Sequence, residues 1–486
     1  MAIISPNFSV EAASRRTKIV CTLGPATDNP KVLAALLNAG MDVARLNFSH
    51  GTHLEHARRL RKVRLAAAAC GKFVAVMQDL QGPKIRTGAL EGGKRAELRV
   101  GAAITITTRP VAGTARLVST TYHDLPQEVK AGSCILLSDG LIELRVERVK
   151  GQDIDCRIVN GGQLAEHQGI NLPGVTLGIS ALSKKDREDL RFGIEHRVDY
   201  IALSFVRRAE DILALKRILA RAARPIPVVA KIEKPEAIER LDEILGAADA
   251  VMVARGDLGV ELPPEMVPII QKRIITRASS MRIPVITATQ MLESMTIHPR
   301  PTRAEASDVA NAIFDGSDAL MLSAETATGH YPCESVQMMA RIISAAEGTR
   351  QLWALQAAWE RPEILNVPEA ICESVAHMAA ELNLKAIVVF TQSGSSARLI
   401  SKYRPRVPVF AFSPLRNVLR RAALYWGVTP VYMSRVQSTD RMVEGAARRL
   451  RELGVVAPGD VIAVIAGTPI AHRGTTDLLK VHRVEA

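Results

Sequence analysis

Aromatic residues make up only 4% of this 486-residue chain, and nowhere do they interleave with a block of lysines and arginines. That scarcity argues against a surface built to stack bases, although a formal net charge of +13 makes nucleic acid the first partner to consider. The basic residues are dispersed, apart from local groups such as RRLRKVR at 58–64, whose spacing fits the solvated face of a helix. The six cysteines (Cys21, Cys70, Cys134, Cys156, Cys333 and Cys372) include no CxxC pair. That argues against a zinc cluster or a disulfide framework and fits a reducing cytoplasm. No apolar run approaches the roughly 20 residues a membrane helix needs. The opening MAIISPNFSVEAASRR also lacks the basic-then-apolar order of a secretory signal. The expectation is a cytoplasmic protein whose positive balance serves anionic small molecules, with neither nucleic acid nor membrane as partner.

What is present is a repeating pattern. Eight short runs, nearly continuous in apolar residues, occur at 18–23, 42–49, 74–80, 200–206, 228–233, 250–255, 285–292 and 319–323. Such runs suit strands buried on both faces of a parallel sheet. Amphipathic helical stretches separate most of them, for example NPKVLAALLNAG and LEHARRLRKVRLAAAACG, the second closed by Gly71. Eight β/α units predict an α/β fold, a closed (β/α)8 TIM barrel. The spacing breaks once, between the third and fourth runs. From about 86 to 183 polar and apolar residues alternate among Gly-rich turns, which predicts a small antiparallel β-barrel domain inserted as a lid. After residue 350 the runs AIVVF, VPVFAF, GVTPVYM and VIAVIAG alternate with helices as a separate α/β domain. The expected organisation is an N-terminal segment 1–16, a barrel of 17–85 with 184–350, a lid of 86–183 and a C-terminal α/β domain of 351–486.

Polar groups crowd the ends of the eight runs. Arg45, Asn47, Ser49 and His50 close the second, and Asp79, Lys84 and Arg86 follow the third. Lys231 and Glu233 end the fifth, Arg255, Gly256 and Asp257 the sixth, Thr289 and Gln290 the seventh, Ser323 and Glu325 the eighth. Strand ends are wet, so one charge there carries little information. So many on one face of one barrel predict a shared site for an anionic substrate. Glu233 and Asp257 are hard oxygen donors from adjacent strands, suited to Mg²⁺ or Mn²⁺; solvated carboxylates or helix caps are the alternative. ARGDLGVE offers the backbone N–H groups of Gly256 and Asp257 at a helix start, where a carboxylate binds. Lys231 shares a strand face with Glu233. It puts positive charge where a phosphoryl group or an enolate becomes negative; a purely structural pair with that glutamate is the competing account.

In order, the stretches TKIVCTLGPAT, DVARLNFSHG, DLQGPKIRTG, INLPG, KIE, ARGDLGVE, ATQMLESM, PTRAEASDVANAIFDGSDALMLSAETATGHYP and TQSGSSARLISKYRP resemble the landmarks of the pyruvate kinase family, from about residue 17 to the C-terminus. The resemblance implies phosphoryl transfer from phosphoenolpyruvate to ADP, giving pyruvate and ATP in glycolysis, by a cytoplasmic homotetramer. It makes Lys231 similar to the phosphoryl-stabilising lysine, Glu233 and Asp257 to the divalent-metal ligands, and Thr289 to the threonine of the enolate-protonation relay. Arg45 would contact the transferred phosphoryl group, and the Gly256 and Asp257 amides with Thr289 would hold the substrate carboxylate. Asn47, Ser49, Asp79 and the carbonyl of Leu80 match a monovalent-cation site. Arg86 and Lys185 match nucleotide-phosphate contacts, with Asn47 and His50 nearby.

The chain departs from potassium-requiring members of the family, which carry Thr-Lys after the aspartate and a glutamate after Gly-Pro; here stand Leu80, Gln81 and Lys84. The Lys84 ammonium is therefore expected to pair with Asp79 and the substrate phosphate and to make K⁺ unnecessary. Gln168 replaces a basic residue before Gly169. In the C-terminal domain VVFTQSGSSARLIS reads as strand, Ser/Gly loop and helix start, a geometry for phosphate or for an ordinary capped turn. There Thr391, Ser393, Ser395 and Ser396 match the family's effector loop for a phosphorylated allosteric ligand, to which GTPIAHRGTTD could add His472 and Arg473. Two competing readings are another phosphoenolpyruvate-using barrel, which would not need Arg86 and Lys185, and a basic nucleic-acid binder whose retention on DNA would fall steeply with salt.

Overall fold

The computed structural model describes residues 15–349 and 365–485, apart from positions 176, 177, 179, 223, 437 and 468–475. The expected boundary at 350–351, most of the segment 1–16, and His472 and Arg473 lie outside the described residues. Among the described residues, no helix is long and apolar enough to cross a membrane.

All eight apolar runs form strands. The first three are β1 (Lys18–Thr22), β2 (Val43–Asn47) and β3 (Ala75–Asp79). The inserted segment then gives β4 (Ala96–Leu98), β5 (Ala103–Thr107), β6 (Leu117–Ser119), β7 (Cys134–Leu137), β8 (Ile142–Lys150), β9 (Asp153–Asn160), β10 (Gly162–Leu164) and β11 (Ile170–Asn171). The barrel resumes with β12 (Tyr200–Leu203), β13 (Val228–Ile232), β14 (Ala250–Ala254), β15 (Val285–Ala288) and β16 (Ala319–Leu322). The ring closes by parallel pairing of β1 with both β2 and β16, and β3 pairs with β12 across the insertion.

The pleat sorts these runs although their sequences do not alternate. Val20, Val43, Ala75, Met77, Val229, Met252 and Ile286 face the barrel interior, while Ile19, Ala44, Val76, Ile201, Val228 and Val251 pack under the surrounding helices. Two of those helices begin as their sequences dictate. Asn29 caps Pro30–Ala39, and Thr52 with Glu55 forms a capping box on His53–Ala69. The RRLRKVR group on the second helix is not merely a solvated face. Arg59 is buried against Asp28, and Arg64 reaches Asp199 at 2.6 Å.

The insertion forms a six-stranded sheet in the order β11-β7-β8-β9-β5-β6 and a two-stranded sheet of β10 and β4. It is antiparallel as expected except between β5 and β6, which pair in parallel. Its two chain crossings are zipped together: Thr87 N donates to Gln168 O at 2.8 Å, and Ile170 N to Ile85 O at 2.9 Å.

The C-terminal sheet has five strands in the order β19-β18-β17-β20-β21: β17 (Ala386–Phe390), β18 (Val409–Ser413), β19 (Val428–Tyr432), β20 (Val461–Gly467) and β21 (Thr476–Arg483). The antiparallel β21 was not expected, because TDLLKVHR is largely polar at an exposed edge. This domain joins the barrel: Ile387 and Val389 of β17, with Cys372, Val375, Leu424 and Tyr425 from outside the sheet, belong to the same buried cluster as the barrel's interior residues. A buried ion network fastens the contact. Lys402 Nζ donates to Asp318 Oδ2 at 2.7 Å, and the Arg404 guanidinium lies 2.9 Å from Asp318 Oδ1. Burial pushes the Lys402 ammonium down to about 8, with Asp318 opposing that shift. Asp318→Asn would leave two enclosed cations without their carboxylate. A loss of about 3–5 kcal/mol is expected, seen as an earlier urea-unfolding midpoint by tryptophan fluorescence.

Candidate functional site

The inward stripe of each strand changes character at its C-terminal end. On β2 it runs Val43, Arg45, Asn47, on β3 Ala75, Met77, Asp79, and along β13 Val229, Lys231, then Glu233 just beyond the strand. The period-two pleat carries apolar residues into the barrel and delivers charges to its mouth from the same face.

Lys231 is the hub. Its ammonium lies 2.8 Å from Glu233 Oε1 and 3.3 Å from Asp79 Oδ1, and it donates to Ser204 Oγ at 2.8 Å. Burial alone would lower its pKa, but Asp79, Glu233 and Asp257 together hold the ammonium above its ordinary value. Asp79 shows the converse: burial opposes its charge, yet Lys231 and Arg45 keep its carboxyl below the usual range. Arg45 donates to Asp79 Oδ2 at 2.6 Å and to Thr22 Oγ1 at 3.0 Å. Burial raises the Glu233 carboxyl, and the negative charge of Asp257 pushes it further up, against Lys231. A buried carboxylate that feels the charge of a second one suits a divalent cation, which Mg²⁺ or Mn²⁺ would satisfy through hard oxygen donors.

Thr289 sits beside this cluster with φ +77, in the left-handed region that a β-branched residue avoids. Arg255 holds it there by donating to Thr289 O at 2.6 Å, and Arg255 is itself anchored by Asp308 at 2.7 Å. A Cβ on Gly256 would come 2.8 Å from Thr289 Cγ2, so glycine is required for this approach. Gly256 and Asp257 lie in the first turn of the helix Arg255–Glu261, as the sequence predicts. Arg255 thus clamps the Thr289 backbone. Glu325 leaves the site: it is fully buried and accepts from the Leu292 and Ser323 amides.

The loop after β2 meets Lys185 across the mouth. Asn47 Oδ1 accepts from Ser49 N at 3.1 Å, and Lys185 Nζ donates to Phe48 O at 2.8 Å and to Asp189 Oδ2 at 2.6 Å. Burial, then Arg86, Lys84 and Arg45, lower the pKa of His50, so these cations share one region. Arg86 Nη1 donates to His167 O at 2.9 Å, at the base of the lid.

One expected contact is absent. Lys84 does not pair with Asp79; its ammonium lies 3.9 Å from Asp139 Oδ1 in the lid. The turn at Gly82 (φ +70) carries Lys84 away from the strand end, over Gly169, while Arg45 and Lys231 take both Asp79 oxygens. Leu80 contributes its carbonyl to Ser204 Oγ at 2.7 Å. Ser204 and Asp189 escaped the sequence reading. Ser204 reads as part of the apolar YIALSFV, and Asp189 lies mid-helix with no motif around it.

In the C-terminal domain Thr391 Oγ1 accepts from Gly394 N at 2.9 Å, and Ser396 Oγ meets Thr476 Oγ1 at 2.6 Å. Thr391, Ser393, Ser395 and Ser396 line one cleft together with Met433 and Arg435.

Comparison with known proteins agrees with this geometry. The family model "Pyruvate kinase, barrel domain" matches residues 14–336, and "Pyruvate kinase, alpha/beta domain" matches 369–482. Pyruvate kinase from Staphylococcus aureus strain MRSA252 is 47% identical over 472 residues, spanning 97% of this chain and 80% of that protein. The pyruvate kinase of strain USA300 matches to the same extent. The crystal structure of a pyruvate kinase from Cryptosporidium parvum superposes with a TM-score of 0.92 at 37% identity, covering 99% of both chains. With both domain models matched in order and near half of its residues identical to those relatives, the chain belongs to the pyruvate kinase family of phosphotransferases.

Proposed function

We propose that the cluster around Lys231 is the phosphoryl-transfer centre, converting phosphoenolpyruvate and ADP to pyruvate and ATP. The observation that carries this reading is the buried Lys231 ammonium at the strand ends, 2.8 Å from Glu233 Oε1 and 3.3 Å from Asp79 Oδ1, its charge favoured by those carboxylates and by Asp257. Lys231 and Arg45 hold the transferring phosphoryl group. The Gly256 and Asp257 amides with Thr289 hold the substrate carboxylate, at the start of a helix whose dipole favours an anion. Asn47, His50, Arg86 and Lys185 bind the nucleotide phosphates across the mouth.

A terminal ADP oxygen attacks phosphorus, and the bond from phosphorus to the enolate oxygen breaks, leaving charge that the Lys231 ammonium stabilises. Carbon 3 of the enolate then takes a proton from a water oriented by the Thr289 hydroxyl. Glu233 and Asp257 would hold the divalent cation, which neutralises charge on the substrate oxygens when bound. Among the described residues no group of three or more His, Cys, Asp or Glu could hold a metal by itself, and substrate and water oxygens would supply the remaining donors. Residues 86–183 act as the lid, and 17–85 with 184–350 as the catalytic unit of a cytoplasmic homotetramer.

Two finer features belong to the same proposal. Asn47, Ser49, Asp79 and the Leu80 carbonyl form the monovalent-cation corner, and Lys84 supplies fixed positive charge from the lid base, so the enzyme works without K⁺. The cleft at Thr391, Ser393, Ser395 and Ser396 takes a phosphorylated effector, sugar phosphate or AMP.

A coupled assay for pyruvate formation, with and without KCl and then with sugar phosphates and AMP, is the direct test; a K⁺ requirement in the wild type, or a Lys84→Glu enzyme that still ignores K⁺, removes the Lys84 reading. Lys231→Met is expected to abolish turnover with the fold intact, and residual activity above about a hundredth of wild type contradicts its role. Asp257→Asn should raise the Mg²⁺ concentration needed for half-maximal rate at least about tenfold, since one charged ligand is lost. An unchanged Mg²⁺ titration removes Asp257 from the ligand set.

A further inference from the structure

We infer that Ser204 is a positioning residue for phosphoryl transfer: its hydroxyl sets the direction of the Lys231 ammonium and ties it to the backbone turn that follows Asp79. The inference rests on the reading of Lys231 given above. An ammonium carries three hydrogens and no lone pair, so its direction is set by its acceptors. Lys231 Nζ has two at short range, Ser204 Oγ at 2.8 Å and Glu233 Oε1 at 2.8 Å. Its remaining neighbour, Asp79 Oδ1, stands at 3.3 Å and has no hydrogen-bond partner. Three oxygens thus surround the ammonium; the two carboxylates attract it as ion pairs, and the Ser204 hydroxyl is the uncharged acceptor to which it donates with hydrogen-bond geometry.

The hydroxyl has no freedom in this arrangement. Because the lysine can only donate, Ser204 Oγ accepts from it, and its single hydrogen goes to Leu80 O at 2.7 Å. Leu80 N in turn donates to Ala202 O at 3.0 Å, so the β3–β12 pairing holds both ends of the link. Ser204 is 2% exposed, which keeps water from substituting for the hydroxyl. A Cβ on Gly82 would come 3.0 Å from Ser204 Cβ, so the Gly-Pro turn approaches the serine closely. Glu233 and Asp79 already supply the charge that keeps Lys231 protonated. The uncharged serine contributes direction, which matters because a stabilising donor acts only when aimed at the oxygen that becomes negative.

Ser204→Ala removes one oxygen and adds nothing, and it is compared with Lys231→Met in the same steady-state assay and by thermal unfolding. The expected result is a kcat lowered about tenfold to hundredfold, with the KM for phosphoenolpyruvate within about threefold of wild type and the unfolding midpoint unchanged. A kcat within about threefold of wild type overturns the inference. So does a loss that appears in KM or in the unfolding midpoint instead, because that marks a merely structural hydroxyl. If Lys231→Met is inactive while Ser204→Ala is normal, only the role of Ser204 falls. If Lys231→Met keeps wild-type turnover, the reading of Lys231 falls and takes this inference with it.

Discussion

A buried ammonium survives only among carboxylates, and the mouth of this barrel is organised around that constraint. Lys231 comes from β13, Asp79 from β3, and Asp257 from the helix after β14, so its charge depends on several strand ends being held in register at once. The barrel's hydrogen-bonded ring supplies that register, and the apolar layer beneath excludes the water that would weaken each pair. Asp79 is held by the same arrangement from the other side, ion-paired with both Lys231 and Arg45. The charges stabilise one another, and the field at the barrel mouth is set by the protein's own residues.

Much of this was legible in the sequence because it follows from periodicity. Runs buried on both faces read as barrel strands, and the polar residues that end them read as a mouth. The positions of Lys231, Glu233 and Thr289 followed from counting along those runs. What was not legible depends on contacts between distant segments. Lys84 could be placed near the site from its order in the chain, but only the path of the Gly82 turn determines that it faces Asp139 and not Asp79. Ser204 carries no signal at all within an apolar run, and its role appears only once Leu80 and Lys231 converge on it. Glu325 and Arg255 had the composition of site residues and turned out to brace backbone, since a carboxylate or guanidinium satisfies buried amides and carbonyls as readily as it binds a ligand.

The C-terminal domain bears on the barrel through more than its covalent connection. Tyr200, on β12, is buried within the barrel's interior cluster, and its hydroxyl donates to Arg421 O at 2.9 Å. Val20, Met77 and Met252 share that cluster with Leu424 and Tyr425. The barrel therefore has no floor made only of its own residues, and this has a consequence for synthesis. Strands that leave the ribosome early must wait for residues near 425 before their interior is closed. The barrel's final packing is thus set by a segment translated more than a hundred residues after β16, which makes docking of the last domain a step in folding the first.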